Sequence, residues 1–350
     1  DRAPYQRGML DAVTDPAVQT TVIMSSAQIG KTTLMKAIIG YHIDQDPSPI
    51  LLVNPTEAMA ETFSKDRLAP MLRDTPVLRD RIADPKSRDT GNTMLYKRFP
   101  GGHLTMIGAN APSSLAARPI RVVLCDEVDR YPPSAGTEGD PVNLAIKRTA
   151  TFHNRRIILT STPTIKGFSR IETAYEHSDQ RRFQVPCPQC GEFQVLRWAN
   201  IVWDEGRPET AHYACDFCGA AIEEGQKGAM LRQGKWVAEA EFKGIAGFHL
   251  NELATPWRRW SEVVDDFLKA RKSPETLKTW VNTSLGETWE ETAEGRDPAG
   301  LLERRENYTP TTLPRRVLYL TAGVDVQADR LEMEVVGWRM DGPDYPPESW

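Results

Sequence analysis

The chain has 350 residues, 40% hydrophobic and 26% charged, with room for two or three globular domains and no apolar run near the roughly 20 residues that cross a bilayer. A net charge of −5 excludes an overall basic field, so any nucleic-acid contact must come from local patches such as Lys147-Arg148, Arg155-Arg156 and Arg181-Arg182. Five cysteines, four of them in CxxC pairs, suit a reducing compartment and a metal site better than a disulfide framework.

In chain order, "TTVIM", "ILLVN", "HLTMIG", "IRVVLC" and "RIILTST" are short apolar strands alternating with helical patterns. This predicts an α/β domain with a mostly parallel sheet over residues 1–180. Tyr5-Gln6 precede the first strand, where a ring to stack on adenine and an amide to read its edge would fit. Next comes "SSAQIGKTT", in which Ser25, Ser26, Ala27, Gln28, Ile29, Gly30, Lys31 and Thr32 match a phosphate-binding loop except that serine replaces its first glycine. Backbone N–H groups and the N-terminus of the next helix would hold phosphates, Lys31 would reach the β/γ-phosphates and Thr32 a Mg²⁺ ion. The first position needs only a tight turn, which serine makes if its φ stays negative. Thr33 closes the loop, and the apolar spacing of Leu34, Ala37, Ile38 and Tyr41 predicts a helix. Thr56 is the expected N-cap of the next.

"IRVVLCDEVD" is an apolar strand ending in Asp126-Glu127, the arrangement that puts one carboxylate on Mg²⁺ and a second beside the attacking water. "RIILTSTPT" ends in Thr160, Ser161 and Thr162, of which Ser161 and Thr162 are candidate γ-phosphate sensors. Cys125 on the acid-bearing strand is expected to be a buried small hydrophobe.

From about 181 to 236 the texture turns to Cys, Trp and Gly. Cys187-Cys190 and Cys215-Cys218 are each followed by glycine, the signature of two knuckles closing a tetrahedral Cys₄ zinc site with no open position, hence structural. Residues 237–314 read as a helical and linker region broken at Pro274. A last segment, 315–350, opens with two strands around a turn. Its stop at Trp350, with a start at Asp1, gives the expectation of an excised piece.

Together, "YQR", "SSAQIGKTT", "GANAPSSLAARP", "VVLCDEVDRYP", "LTSTPT", the paired CxxCG, "GFHLNEL", "NTSLGETWE" and "GVDVQADRLE" resemble the large subunit of lambda-type tailed-bacteriophage DNA-packaging terminase, over essentially the whole chain. The resemblance implies an ATPase of the RecA/ASCE kind that moves double-stranded DNA into a procapsid, followed by an RNase H-like endonuclease, here truncated, that cuts concatemers. It also implies Asp325 as a nuclease metal ligand using Mg²⁺ or Mn²⁺, and Arg118 as an arginine that reaches a neighbouring subunit's ATP. Implied partners are DNA, a small subunit, a portal and procapsid, and a homo-oligomeric ring, in the bacterial host cytoplasm and away from membranes. A two-domain helicase would share the nucleotide motifs but should carry a second α/β domain where the cysteine knuckles stand. A zinc-ribbon adaptor with a dead loop conflicts with intact Lys31, Thr32, Asp126 and Glu127. Glu332 and Glu334 share a face, but their strand is expected to run away from Asp325.

Overall fold

In the computed structural model, which describes residues 2–82, 92–111, 118–290, 317–326 and 330–338, the apolar runs form the middle of one large sheet. Its strands are β1 (Thr20–Ser25), β2 (Pro49–Asn54), β3 (Tyr96–Phe99), β4 (Gly102–Gly108), β5 (Val122–Asp126), β6 (Arg156–Ser161), β7 (Arg181–Pro186) and β8 (Phe193–Val195). β9 (Ile201–Asp204), β10 (Arg207–Ala214) and β11 (Ala221–Ile222) make a small antiparallel sheet, after which β12 (Lys235–Val237) and β13 (Ile245–Leu250) rejoin the large one. The order is β12-β7-β13-β1-β6-β5-β2-β4-β3, with β8 paired to β7. Every pairing from β7 through β4 is parallel, and the antiparallel strands β12, β8 and β3 lie at the margins.

Helices cover both faces, so the central strands are buried on both sides and read as continuous apolar runs. The pleat divides each strand between two cores. Ile50, Leu52, Val122 and Leu124 pack with Met35, Ile38 and Ile39 of helix α2 (Lys31–Asp44). Leu51, Val53, Val123 and Cys125 face the opposite layer with Ile171 and Tyr175. A third core gathers Tyr5 and Met9 of helix α1 (Tyr5–Thr14) with Phe183, Tyr213, Phe248 and Trp260. Thr56 caps α3 (Glu57–Phe63) as expected, its hydroxyl accepting from Met59 N at 3.3 Å. Cys125 is fully buried.

The expected divisions at 180/181 and 236/237 do not separate compact units. Residues 1–291 form one unit, because β7, β12 and β13 are strands of the main sheet and not parts of an appended module or linker. β13 escaped sequence reading because "IAGFHL" becomes a central strand only through β1, which lies far away in the chain. The helices expected between 257 and 285 are Trp260–Ala270 and Pro274–Trp280, interrupted at Pro274 as read. The expected linker beyond 290, residues 112–117 of "GANAPSSLAARP", and Gln327, Ala328 and Asp329 of "GVDVQADRLE" lie outside the described residues.

The second unit, 292–350, contains an antiparallel hairpin of β14 (Tyr319–Val326) and β15 (Leu331–Trp338). Its register places the acids of the hairpin. Asp325 stands directly opposite Glu332, so the two carboxylates share a face across the ladder. β15 begins beside the Asp325 end of β14 and runs away from it, in the direction expected, so that Glu334 lies opposite Gly323.

Candidate nucleotide site and cysteine centre

The phosphate-binding loop leaves β1 at Ser25 and enters α2 at Lys31, with Gly30 as N-cap at φ 91°. Positive φ falls on Gln28 (60°) and Gly30, not on Ser25, so the missing first glycine leaves the turn intact. Gly30 has a further reason to lack a side chain, since a Cβ there would lie 2.4 Å from Gln6 Nε2. Ser26 N donates to Leu250 O at 2.9 Å and Ala27 N to Thr283 O at 2.7 Å. The cradle therefore falls to the amides from Gln28 to Thr32, which include the free first-turn donors of α2. Lys31 is only 8% exposed, and Lys31 Nζ and Ser26 Oγ are both buried without a hydrogen bond. Buried donors on an open αL turn at a helix N-terminus fit a polyphosphate.

Across the sheet, β6 separates β1 from β5 and brings the strand-end acids to the same rim. Lys31 Nζ lies 3.1 Å from Glu127 Oε1, near enough for an ion pair though off the line of a hydrogen bond. Glu127 takes an αL conformation at φ 55°, a strained value for glutamate that turns its carboxylate back toward the loop. Glu127 Oε2 accepts from Thr162 Oγ1 at 3.3 Å. Thr160 Oγ1 donates to Asp126 Oδ1 at 2.8 Å. Burial raises the Asp126 carboxyl above its ordinary value, and the Thr160 bond opposes that rise. Ser161 Oγ accepts from Asp129 N at 3.3 Å. The three hydroxyl residues thus position the acids and their loop. Thr160 is the one whose role the sequence left unassigned, although it stands beside the other two.

Tyr5 has a different place from the one expected. Its ring is fully buried, edge-on to Phe183 and Trp257, and its hydroxyl donates to Ile29 O at 2.9 Å. A ring inside the core has no free face for a base. Gln6 Nε2 donates to Ile29 O at 3.0 Å, so the Tyr-Gln pair braces the loop from behind. Trp257, 46% exposed, adds a third brace through Nε1 to Gln28 O at 2.9 Å. "GFHLNEL" and "NTSLGETWE", which carried the resemblance with no assigned role, also reach the loop. Gly286 packs against Ser25 and Ser26, where a Cβ would lie 2.5 Å from Ser26 N. His249 Nε2 bonds to Gly286 O at 2.9 Å, and burial together with Arg182 lowers the imidazole to about 3, so it is neutral.

The four cysteines come together. Cys187, Cys190, Cys215 and Cys218 place their Sγ atoms within 4.8 Å of one another, with 3.9 Å between Cys187 and Cys218 and between Cys190 and Cys215. Tetrahedral thiolates at a Zn–S distance of about 2.3 Å are roughly 3.8 Å apart, so the set fits zinc. Gly191 (φ 79°) and Gly219 (φ 69°) close the two turns.

Arg118 is not brought to these sites. Arg118 is exposed, its guanidinium 5.1 Å from the Tyr96 ring centroid, and it lines a cavity of about 340 Å³ with Leu51, Thr105 and Arg148. Asp325 stands in the hairpin of the second unit.

The description "Phage terminase large subunit gpA, ATPase domain" matches residues 1–236. The chain belongs to this family. The companion description, "Terminase large subunit gpA, endonuclease domain", matches residues 245–347, so β13 and the segment behind the loop fall in the nuclease match although they pack in the first unit. The chain is 33% identical to the terminase large subunit of Enterobacteria phage P21 over 96% of its own length and 56% of that protein's, and 31% identical to that of Escherichia phage lambda over 99% and 57%. It thus spans somewhat more than half the length of these relatives. Among solved structures, the large terminase of bacteriophage HK97 aligns at a TM-score of 0.48 with 14% identity, covering 99% of this chain and 62% of that one. The ATPase domain of the Thermus phage P74-26 large terminase aligns at 0.46, also with 14% identity, over 80% and 92%.

Proposed function

We propose that this chain hydrolyses ATP, and that in the whole protein turnover drives double-stranded DNA into a procapsid. The observation that carries the reading is the pairing of the loop lysine with a strand-end glutamate, Lys31 Nζ to Glu127 Oε1 at 3.1 Å, beside Asp126. Amides 28–32 and Lys31 bind the phosphates. Lys31 cannot hold both Glu127 and a phosphate at full strength, so nucleotide entry releases the glutamate to orient water and accept its proton. Thr162 steadies the carboxylate meanwhile. Mg²⁺ held by Thr32 and Asp126 would supply charge neutralisation at the phosphates.

The four thiolates hold a structural Zn²⁺. Arg118, exposed, suits a role toward a neighbouring subunit's nucleotide in a ring. Asp325 with Glu332 opposite contributes to a divalent-metal nuclease centre that cuts concatemeric DNA. DNA, a small subunit and a portal are the partners in this reading, and the host bacterial cytoplasm its setting. The test is Mg²⁺-dependent phosphate release by purified protein, with and without double-stranded DNA. Absence of turnover in both, from protein that binds ATP, overturns it.

A further inference from the structure

The segment 282–290 touches the two halves of the nucleotide site at once. At one end Thr283 O accepts from Ala27 N of the phosphate loop at 2.7 Å, and Gly286 lies against Ser25 and Ser26. At the other end Asn282 Nδ2 donates to Thr164 O at 2.7 Å and to Glu287 O at 2.8 Å. Trp289 N donates to the same Thr164 carbonyl at 2.9 Å, and Lys166 N returns a bond to Trp289 O at 3.0 Å. Thr164 in turn holds the acid loop: its hydroxyl donates to Asp129 Oδ2 at 3.0 Å, and Asp129 N donates to Ser161 Oγ, one residue from the Thr162 that contacts Glu127. Adjacent residues, Asn282 and Thr283, therefore fix the phosphate loop and the glutamate's supports relative to each other.

We infer that Asn282 is a positioning residue for hydrolysis, acting through Thr164 and Asp129 on Glu127, while Gly286 serves nucleotide binding through the loop. The inference rests on the ATPase reading above. Asn282 is 9% exposed, and both its amide protons go to main-chain carbonyls, so its replacement leaves Thr164 O, in the loop after β6, held by Trp289 N alone and loosens that loop without touching the phosphate-loop amides. Displacing a catalytic group by about 1 Å costs on the order of 100-fold in rate. The glutamate half should thus fail in turnover while the phosphate half still binds. Gly286 sits at φ 64° with no room for a methyl group, so alanine there pushes on Ser26 and distorts the cradle.

The experiment measures ADP affinity and ATPase kcat for the 350-residue chain and for Asn282→Ala, Asn282→Asp and Gly286→Ala, each first checked for folding by thermal melting. For Asn282→Ala, kcat is expected to fall about 10- to 100-fold with the Kd for ADP within about threefold of the parent. Asn282→Asp, which sets a carboxylate against two carbonyls, should do the same more severely. For Gly286→Ala the order reverses, with ADP affinity lost by about 10-fold or more. Asn282→Ala turning over like the parent, or losing ADP affinity as steeply as kcat, overturns the assignment. If Asn282→Ala fails to fold, the Gly286→Ala result decides: unchanged ADP affinity refutes the division of labour. A parent chain that binds ADP but hydrolyses nothing refutes the ATPase reading instead.

Discussion

The nucleotide site and the cysteine centre, both in the first unit, are built by opposite means. The cysteine centre needs two tight turns, each supplying both its thiolates and its glycine within five residues. The nucleotide site draws on α1, the loop after β1, the ends of β5 and β6, the end of β13 and the segment 282–290. A site of the first kind fails when a ligand is lost. A site of the second kind can also fail through residues that never meet the nucleotide.

The largest expected effect tests the shared part of the nucleotide site. Glu127→Gln should retain ATP binding and lose turnover by about 10³-fold, the usual scale of a general base, and Lys31→Ala should lose binding itself. Normal turnover in Glu127→Gln would detach the strand-end acid from the chemistry. The cysteine centre is broken next by Cys190→Ser with Cys218→Ser. Metal analysis of the reduced parent should give one zinc per chain and of the double variant none, with a stability loss of at least ~3 kcal/mol seen in denaturant melts. Because Cys187 and Cys215 share a core with Tyr5 and Ile29, this loss should also weaken ADP binding. Unchanged ADP affinity in the zinc-free variant would show the two sites to be independent.

Tyr5→Phe sharpens the comparison at smaller scale. It keeps the ring but removes one of the two donors to Ile29 O, Gln6 Nε2 remaining as the other, which costs about 0.5–1.5 kcal/mol. If the ring served a base instead, the variant would be as stable as the parent. Smallest is a pH effect. The His249 imidazole, neutral in the fold with its pKa lowered to about 3, contributes stability that is present above about 6.5 and is lost as pH falls toward 3. His249→Gln should remove up to about 1.4 kcal/mol per pH unit of slope between those limits in melts run against pH. A slope identical to the parent's would mean that the ring protonates freely.

Much of both sites was legible because their chemistry is local in sequence. Loop, strand-end acids, hydroxyl run and each single knuckle declare themselves within a dozen residues, since backbone geometry ties function to spacing there. The Tyr-Gln pair was found, but the burial of the Tyr5 ring was not. A side chain's burial depends on what covers it, and Phe183 and Trp257, which flank Tyr5, come from distant parts of the chain. Likewise the divisions at 180 and 236 followed changes of composition, which the sheet ignores when β7, β12 and β13 rejoin it.

By itself the sequence determined the elements that short-range physics dictates: apolar runs too continuous for anything but buried strands, a glycine turn before a helix, a capping threonine, two thiolate turns. Only the tertiary structure decided which strand lies beside β1, that Asp325 faces Glu332, and that Asn282 and Thr283 clamp the loop to the acids. Apart from the hairpin pair, these join residues far apart in the chain, and their energy comes from hydrogen bonds and buried area that exist only once the chain has closed on itself.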